Sequence, residues 1–383
     1  MKNHFPGYFR PSNQDFEHLW QSAIIVLDAS ILSGFYRYSD TTRKEFLSVL
    51  NTFGDRLWLP HRAAEEFFRN RISVIAQQAR AYDETVQRIE SLQKALENKR
   101  QHPFISPRLL QKLVKDFKEA DAELRANAKA HRCRITEDSI LKEVARLFQG
   151  RLGPATRGDD LQKLCAEGKQ RYAQSIPPGY KDSAKDSAGD PSRPYGDLIL
   201  WREILDKAKK DQKAIIIVLD DRKEDWWLIH DGQTLSPRPE LIKEFMDYSG
   251  KPCYMYQPDA FLSHSIKYTK QQVSGLTIHE VEDFRDQQTK LVQEALAGQV
   301  EATRAYLAIV NDPAMRNLWQ QIQRDVEMAT RLTEGFPELK ALANQTSHPS
   351  PGGLAITAPI DPTRVVEASA QMLYETTQGK PSQ

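Results

Sequence analysis

Residues 214–227 read Ala-Ile-Ile-Ile-Val-Leu-Asp-Asp-Arg-Lys-Glu-Asp-Trp-Trp. An unbroken apolar run stops abruptly at two carboxylates, Asp220 and Asp221. A continuous rather than alternating run predicts a strand buried on both faces, as in a parallel sheet covered by helices. Ala23–Leu27 repeats the pattern and ends at Asp28. Two shorter candidates are Leu57-Trp58-Leu59, stopped by Pro60, and Cys253–Tyr256, followed by Pro258. Helix-favouring sequence separates the four, so the expected fold class is α/β.

Working outward, a charged helix is expected from His61 to about Lys99. His102-Pro103 and Ser106-Pro107 break it, and a second helix runs to about Ala130. The pair reads as an inserted helical hairpin. Thr136-Glu137-Asp138 starts another helix ending near Gly150. Residues 151–195, rich in Gly, Pro, Ser and Asp, read as a long irregular loop centred on Ile-Pro-Pro-Gly-Tyr-Lys-Asp (176–182). Gly196-Asp197 opens an amphipathic helix over Leu198–Lys209. Thr277-x-x-Glu280 reads as a capping box for a helix to about Ala297. More helices follow to about Ala343, then a Pro/Gly-rich linker over Ser347–Pro362. The expected organisation is an N-terminal extension (1–21), an α/β domain (22–265), a C-terminal helical region (266–345) and a flexible tail (346–383). Within the α/β domain the helical insertion spans about 70–150 and the loop 151–195.

Among 383 residues, 40% are hydrophobic and 27% charged, as in an average globular protein. Lys+Arg (53) balance Asp+Glu (52), so any nucleic-acid surface must be a local basic groove rather than a global charge. Cys133, Cys165 and Cys253 form no CxxC pair, which fits a reducing cytoplasm and argues against a structural zinc site. The first 20 residues hold no apolar run long enough for a signal peptide, and nothing approaches the roughly 20 residues that span a bilayer. No membrane role is expected.

The acids carry the functional signal. In open α/β sheets, ligands bind beyond the carboxyl ends of the strands. Asp28, Asp220 and Asp221 lie at two such ends, Glu66 follows the strand Leu57–Leu59, and Asp197 starts a helix. Carboxylates crowded into one cleft are either partly protonated or bound to a cation. An all-oxygen set suits Mg²⁺ or Mn²⁺. A dehalogenase-type phosphatase would need an acid where Ser30 stands, and no phosphate loop, GxSxG or HExxH occurs.

Four motifs in this order, VLDAS (26–30), RLWLPHRAAEEFFRNR (56–71), YGDLILW (195–201) and IIIVLDDRKEDWW (215–227), resemble the PIN-domain nucleases. The chain resembles more closely the bacterial PIN-like branch with a helical insertion, over roughly residues 22–265. The resemblance implies a PIN-like parallel-sheet sandwich and metal-dependent endonucleolytic cleavage of single strands, of RNA before DNA. Its products would carry a 5′-phosphate and a 3′-hydroxyl. Carried over, the family's acids fall on Asp28, Glu66 (Glu65 in the alternative register), Asp197 and Asp221, with Asp220 beside it as a further metal ligand. Two positions depart from the pattern. Asp28-Ala29-Ser30 replaces Asp-x-Asn, and Leu219 stands where a hydroxyl residue is usual.

The expected substrate-binding set is Ser30, which can hydrogen-bond a ligand carboxylate, with Arg62, Arg69, Arg71, Lys181, Lys185, Arg222 and Lys223, cations for the phosphate backbone clustered around the acid motifs. Tyr36, Tyr38, Tyr180, Tyr195 and Trp201 are candidates for stacking on bases, while Trp226-Trp227 reads as core. The helical regions offer a surface for a protein partner or a second copy. A role in phage defence or as a toxin follows the family's habits. The rival expectation is a PIN-like module that binds RNA or protein without cutting.

Overall fold

A computed structural model describes residues 4–98, 105–183 and 190–286, together with positions 1, 100, 321 and 324. Lys185, the linker 347–362 and the helices expected after 286 lie outside the described residues. The chain divides into two units, Met1–Val292 and Gln293–Gln383, and the first is described here.

In chain order the strands are β1 (Ile24–Leu27), β2 (Leu57–Trp58), β3 (Ile215–Val218), β4 (Trp227–His230), β5 (Gln233–Pro237) and β6 (Cys253–Tyr256). The four strands expected from the apolar runs form one parallel sheet in the order β2-β1-β3-β6. Every residue of β1 and β3 is buried, so the sheet needs cover on both faces. The helices are α1 (Asn13–Ser22), α2 (Ala29–Gly34), α3 (Asp40–Asn51), α4 (His61–Glu97), α5 (Pro107–Cys133), α6 (Ser139–Leu147), α7 (Gly158–Ala173), α8 (Gly196–Asp211), α9 (Pro239–Ser249), α10 (Pro258–Thr269) and α11 (275–286). Two helical groups supply the cover: α10 packs on α1 and α3, and α8 packs between α4 and α9. The fold is α/β, as the sequence predicts.

β1 and β3 align Leu27 with Val218. Asp28 and Leu219 therefore leave the sheet side by side, on strands about 4.8 Å apart. Parallel pairing thus sets the acids that follow β1 and β3 along one edge.

Several elements differ from expectation. Residues 13–22, expected in an extension, form a capped helix whose Phe16, Leu19 and Trp20 join the core. Each buried side chain of this size contributes about 2 kcal/mol. Residues 158–173, expected as loop, form α7. Its Leu161–Leu164–Gly168 stripe packs on α8, and the Gly and Pro around it hid that short period. The expected cap of α11 is three residues late. Ser274 Oγ accepts the Thr277 amide (3.1 Å), while Glu280 reaches across to the Ser39 amide (2.5 Å) and Thr42 hydroxyl (2.7 Å) of α3. Asp231 and Gly232, both at positive φ, turn the β4–β5 hairpin, as an Asp-Gly pair favours.

The inserted hairpin is present. α4 runs 37 residues, and α5 buries only Ala128. Ion pairs Arg125–Glu90 (2.7 Å) and Arg132–Asp83 link the two arms.

Candidate active site

At the end of β1, Asp28 is the N-cap of α2. Its Oδ2 accepts the Ser30 amide (3.0 Å) and the Ser30 hydroxyl (2.5 Å). That hydroxyl also accepts the Asp220 amide at 3.1 Å. Ser30 thus ties the first acid to the end of β3, a link made across strands rather than from position 219. Leu219 itself is buried and continues the ladder to Tyr256.

The centre of the site is a lysine. Lys223 Nζ lies 3.1 Å from Asp221 Oδ2, 3.1 Å from Asp182 Oδ2 and 3.5 Å from Asp197 Oδ2. Three chain segments thus bring three carboxylates to one point. Asp221 leaves β3, and its Oδ1 accepts the Lys223 amide (2.7 Å). Asp197 sits in the first turn of α8, where the helix dipole favours an anion, and Trp226 Nε1 donates to it at 3.3 Å. Burial would pull the Lys223 ammonium's pKa down, but Asp197, Asp221 and Asp182 outweigh it and hold the pKa well above the ordinary lysine value.

Asp182 arrives on the 176–182 loop. Arg171, at the end of α7, holds that loop by bonding the Pro177 carbonyl while pairing with Glu244 (2.6 Å). Gly179 has φ +91°, and a Cβ there would collide with Tyr172 Oη and come within 3.0 Å of Asp197 Cβ. Only glycine fits both the left-handed backbone and the close approach. The Gly179 amide donates to Asp225 Oδ2 at 2.9 Å. Asp225 is fully buried, its carboxyl pushed up by burial, and its Oδ1 is left without a hydrogen bond.

Asp220 keeps different company. Burial pushes its carboxyl up to about 6, partly offset by Arg285 and Arg222 and reinforced by Asp259. Arg285 in turn pairs with Asp259, and Arg222 with Asp286. The neighbouring Asp221 charge raises the Asp220 carboxyl further.

Glu66 is half-buried beside the buried Phe67 on α4. Glu65 is exposed and pairs with His61 (3.4 Å) and Arg62 (3.6 Å) on its own helix. The cations expected to face substrate are largely engaged within the protein. Arg62 is buried against Gly196, and its amide donates to Glu203 (3.0 Å). Pro60, the N-cap of α4, makes no side-chain cap bond, so Glu203 serves that end instead. Arg71 turns inward to Asp138, which also takes the Tyr36 hydroxyl (2.6 Å). Arg69 meets Asp190 at 3.4 Å and Lys181 meets Glu224 at 2.7 Å, both near the surface. The stacking roles expected of Tyr36, Tyr38 and Trp201 are corrected, because all three are core residues. Tyr180 and Tyr195 stay half-buried, and Trp226 and Trp227 are core as expected.

Asp182 and Asp225 have no place among the expected ligands, although both lie inside motifs the sequence singles out. The available signal was a dense run of charges beside Trp226-Trp227, where burial forces pairing.

Among the described residues, no three His, Cys, Asp or Glu side chains form a ready-made metal site. The point shared by Asp182, Asp197 and Asp221 is filled by Lys223. The donor chemistry nevertheless fits a hard divalent ion. The donors are all oxygen, three carboxylates face one ammonium, and the Asp225 carboxyl, with Oδ1 unbonded, lies nearby. A cavity of about 640 Å³ lined by Trp58, Arg202, Glu203, Lys207 and Tyr248 is separate and contains none of these acids. Burial raises the Glu203 carboxyl there to about 7. No helix among the described residues is long and apolar enough to cross a membrane.

Residues 24–241 match the sequence model of the PIN-like domain family. No curated protein and no solved structure matches the chain.

Proposed function

The chain belongs to the PIN-like domain family, whose members are usually nucleases, and on that premise we propose that it is a divalent-metal-dependent endonuclease of single-stranded RNA. One observation supports the reading above the others: Asp182, Asp197 and Asp221, from separate chain segments, meet at one cation at the carboxyl edge of the sheet. Asp221, Asp197 and Asp182 would hold Mg²⁺ or Mn²⁺. The ion, when bound, supplies an acidified water and neutralises phosphate charge. Asp28, fixed by Ser30 at the neighbouring strand end, and Glu66 on α4 orient that water and the phosphate. Lys181, Arg69 and Arg222, whose ion pairs lie at or near the surface, exchange their carboxylate partners for backbone phosphates. The Asp28 side chain is a turn cap as well as a functional group, so its amide isostere keeps the cap.

The test is cleavage of a labelled single-stranded RNA with Mn²⁺. Wild-type protein yields 5′-phosphate products. Asp28→Asn loses cleavage with its melting temperature unchanged or raised. Cleavage by Asp28→Asn at the wild-type rate ends the reading. A second reading, a PIN-like module that binds without cutting, draws on the lysine already seated among the acids and on Leu219 in the usual hydroxyl position. It gains if no RNA is cut and millimolar Mn²⁺ does not bind. A defence or toxin role predicts that overexpression arrests growth only with Asp28 intact, and normal growth under wild-type overexpression counts against it.

A further inference from the structure

We propose that Arg62 and the N-terminus of α8 together bind one backbone phosphate of single-stranded RNA. That role rests on the nuclease reading above and deepens it, by naming a grip on the strand that needs no metal ion.

Arg62 is only 6% exposed, and its Nε is buried without a hydrogen bond. Among the described residues its guanidinium donates no hydrogen bond at all, and its one ion pair is a loose one to Glu65, at 3.6 Å. Burying the N–H donors of an arginine unmet costs free energy. The buried Arg171 makes the contrast. It too leaves Nε unbonded, but its two Nη groups grip Glu244 at 2.6 and 2.9 Å. Arg62 has a donor fork of the same shape and no acceptor for it.

The fork lies against the start of α8. A Cβ on Gly196 would come within 3.2 Å of Nη2 and 3.4 Å of Nε. Gly196 has ordinary helical backbone (φ −53°), so glycine supplies room here rather than conformation. α8 runs 16 residues, and its N-cap, Tyr195, makes no side-chain cap bond. The first amides of a helix have no intrahelical partner and, with the helix dipole, attract anions. An arginine fork and an uncapped helix N-terminus thus meet at Gly196. A phosphate suits both, since it accepts paired bonds from arginine. Gly196 precedes Asp197, so a phosphate held there lies beside the acids.

The surroundings already hold one anion. Arg69, seven residues after Arg62 and so on the same face of α4, meets Asp190 at 3.4 Å on the segment leading into α8. Hydrogen bonds from Ser192, then the charges of Arg62 and Arg69, keep the Asp190 carboxyl below its ordinary value. The other acids near Arg62 have partners of their own. Glu65 pairs with His61, and Asp197 accepts Trp226 Nε1. Glu203 accepts the Arg62 amide (3.0 Å) and the Thr156 hydroxyl (3.3 Å). That amide bond fixes the Arg62 backbone whatever its side chain holds.

The experiment uses full-length protein and a fluorescein-labelled oligouridylate of roughly ten nucleotides, within the usual site size for a single strand. Anisotropy titrations in EDTA, repeated with Ca²⁺, give affinity and its salt dependence for wild type, Arg62→Met and Gly196→Ala. Calorimetry with inorganic phosphate is run beside them. Arg62→Met is expected to bind the strand about tenfold more weakly, the size of one lost charge-assisted contact. Its slope of log affinity against log salt is expected to fall by about 0.7, one phosphate fewer on a single strand. Gly196→Ala, whose Cβ crowds the fork, is expected to bind several-fold more weakly with no loss of melting temperature, because alanine favours helix. If Arg62→Met binds with wild-type affinity and slope, the phosphate site is overturned and the nuclease reading stands. A lower melting temperature with an unchanged salt slope overturns it as well, since Arg62 is then packing alone. If wild type binds phosphate through Arg62 but no oligonucleotide, the assignment to RNA is overturned. If it binds neither in EDTA nor with Ca²⁺, the site and the nuclease reading both fall. Should Arg62→Met not fold, Gly196→Ala decides, and wild-type affinity in that variant overturns the site.

Discussion

Asp220 and Asp221 are adjacent in the chain and occupy contrasting surroundings. Asp221 shares one lysine with Asp182 and Asp197. Asp220 is influenced by Arg285 and Arg222, each also paired with another carboxylate, Asp259 or Asp286. There acid and base are close to balance, and α11 supplies part of the balance. The difference shows what a strand-end acid needs in order to serve a cation. Position at the carboxyl edge is not enough, because neighbouring segments must bring further acid rather than base to the same point. The 176–182 loop and α8 do this for Asp221. α11 does the reverse for Asp220.

The strongest way to break that contrast is to remove each charge in turn. Asp221→Asn is expected to slow RNA cleavage by about 100-fold or more, the scale of losing one electrostatic contact to the transition state. Asp220→Asn is expected to leave the rate within a few-fold of wild type. Initial rates on 5′-labelled single-stranded RNA at saturating Mn²⁺ measure both. If the two variants fall together, the two environments are not functionally distinct.

The sheet was legible because its signal is local. Short, β-branched unbroken runs such as Ile215–Val218 read as buried strands, and Asp28, Asp197 and Asp221 follow from where those runs and the α8 pattern stop or start. What was not legible depends on partners far away in the chain. Nothing near Lys223 says that its ammonium meets Asp182, 41 residues earlier, rather than a phosphate. Nothing near Arg71 says that Asp138 takes it, or that Tyr36 joins them in the core. The α7 helix was hidden for another reason, since Leu161 and Leu164 are a thin stripe between segments rich in helix breakers. Family resemblance supplied an order of acids, but side-chain pairing across segments is a tertiary fact.

The Asp221 side depends on a loop held by packing, and two glycines at positive φ separate packing from backbone strain. Gly179 (φ +91°) is crowded by Tyr172 and Asp197, whereas Gly250 (φ +68°), just beyond α9, has open space where a Cβ would go. Gly250→Ala is expected to cost about 1 kcal/mol, the left-handed strain alone. Gly179→Ala adds a collision, so a loss of about 2 kcal/mol or more is expected. It should also weaken Mn²⁺ binding by shifting Asp182. Urea denaturation and calorimetry test the pair. Equal costs for the two substitutions would mean that the loop yields freely and does not fix the acid site.

The smallest effect expected is a pH dependence on the Asp220 side. Burial raises this carboxyl from an ordinary value of 3.8 to about 6 in the folded protein. The folded state therefore holds the proton more tightly than the unfolded chain. Its contribution to stability is fully present below pH 3.8 and is lost as pH rises through about 6. Asp220→Asn removes that loss. The variant should match wild type near pH 4 and be more stable near pH 7.5, by about 1 kcal/mol once partial solvent screening of a half-buried group is allowed for. Thermal melts at matched ionic strength across that range measure the difference. A constant offset at every pH would mean that Arg285 and Arg222 already compensate the charge.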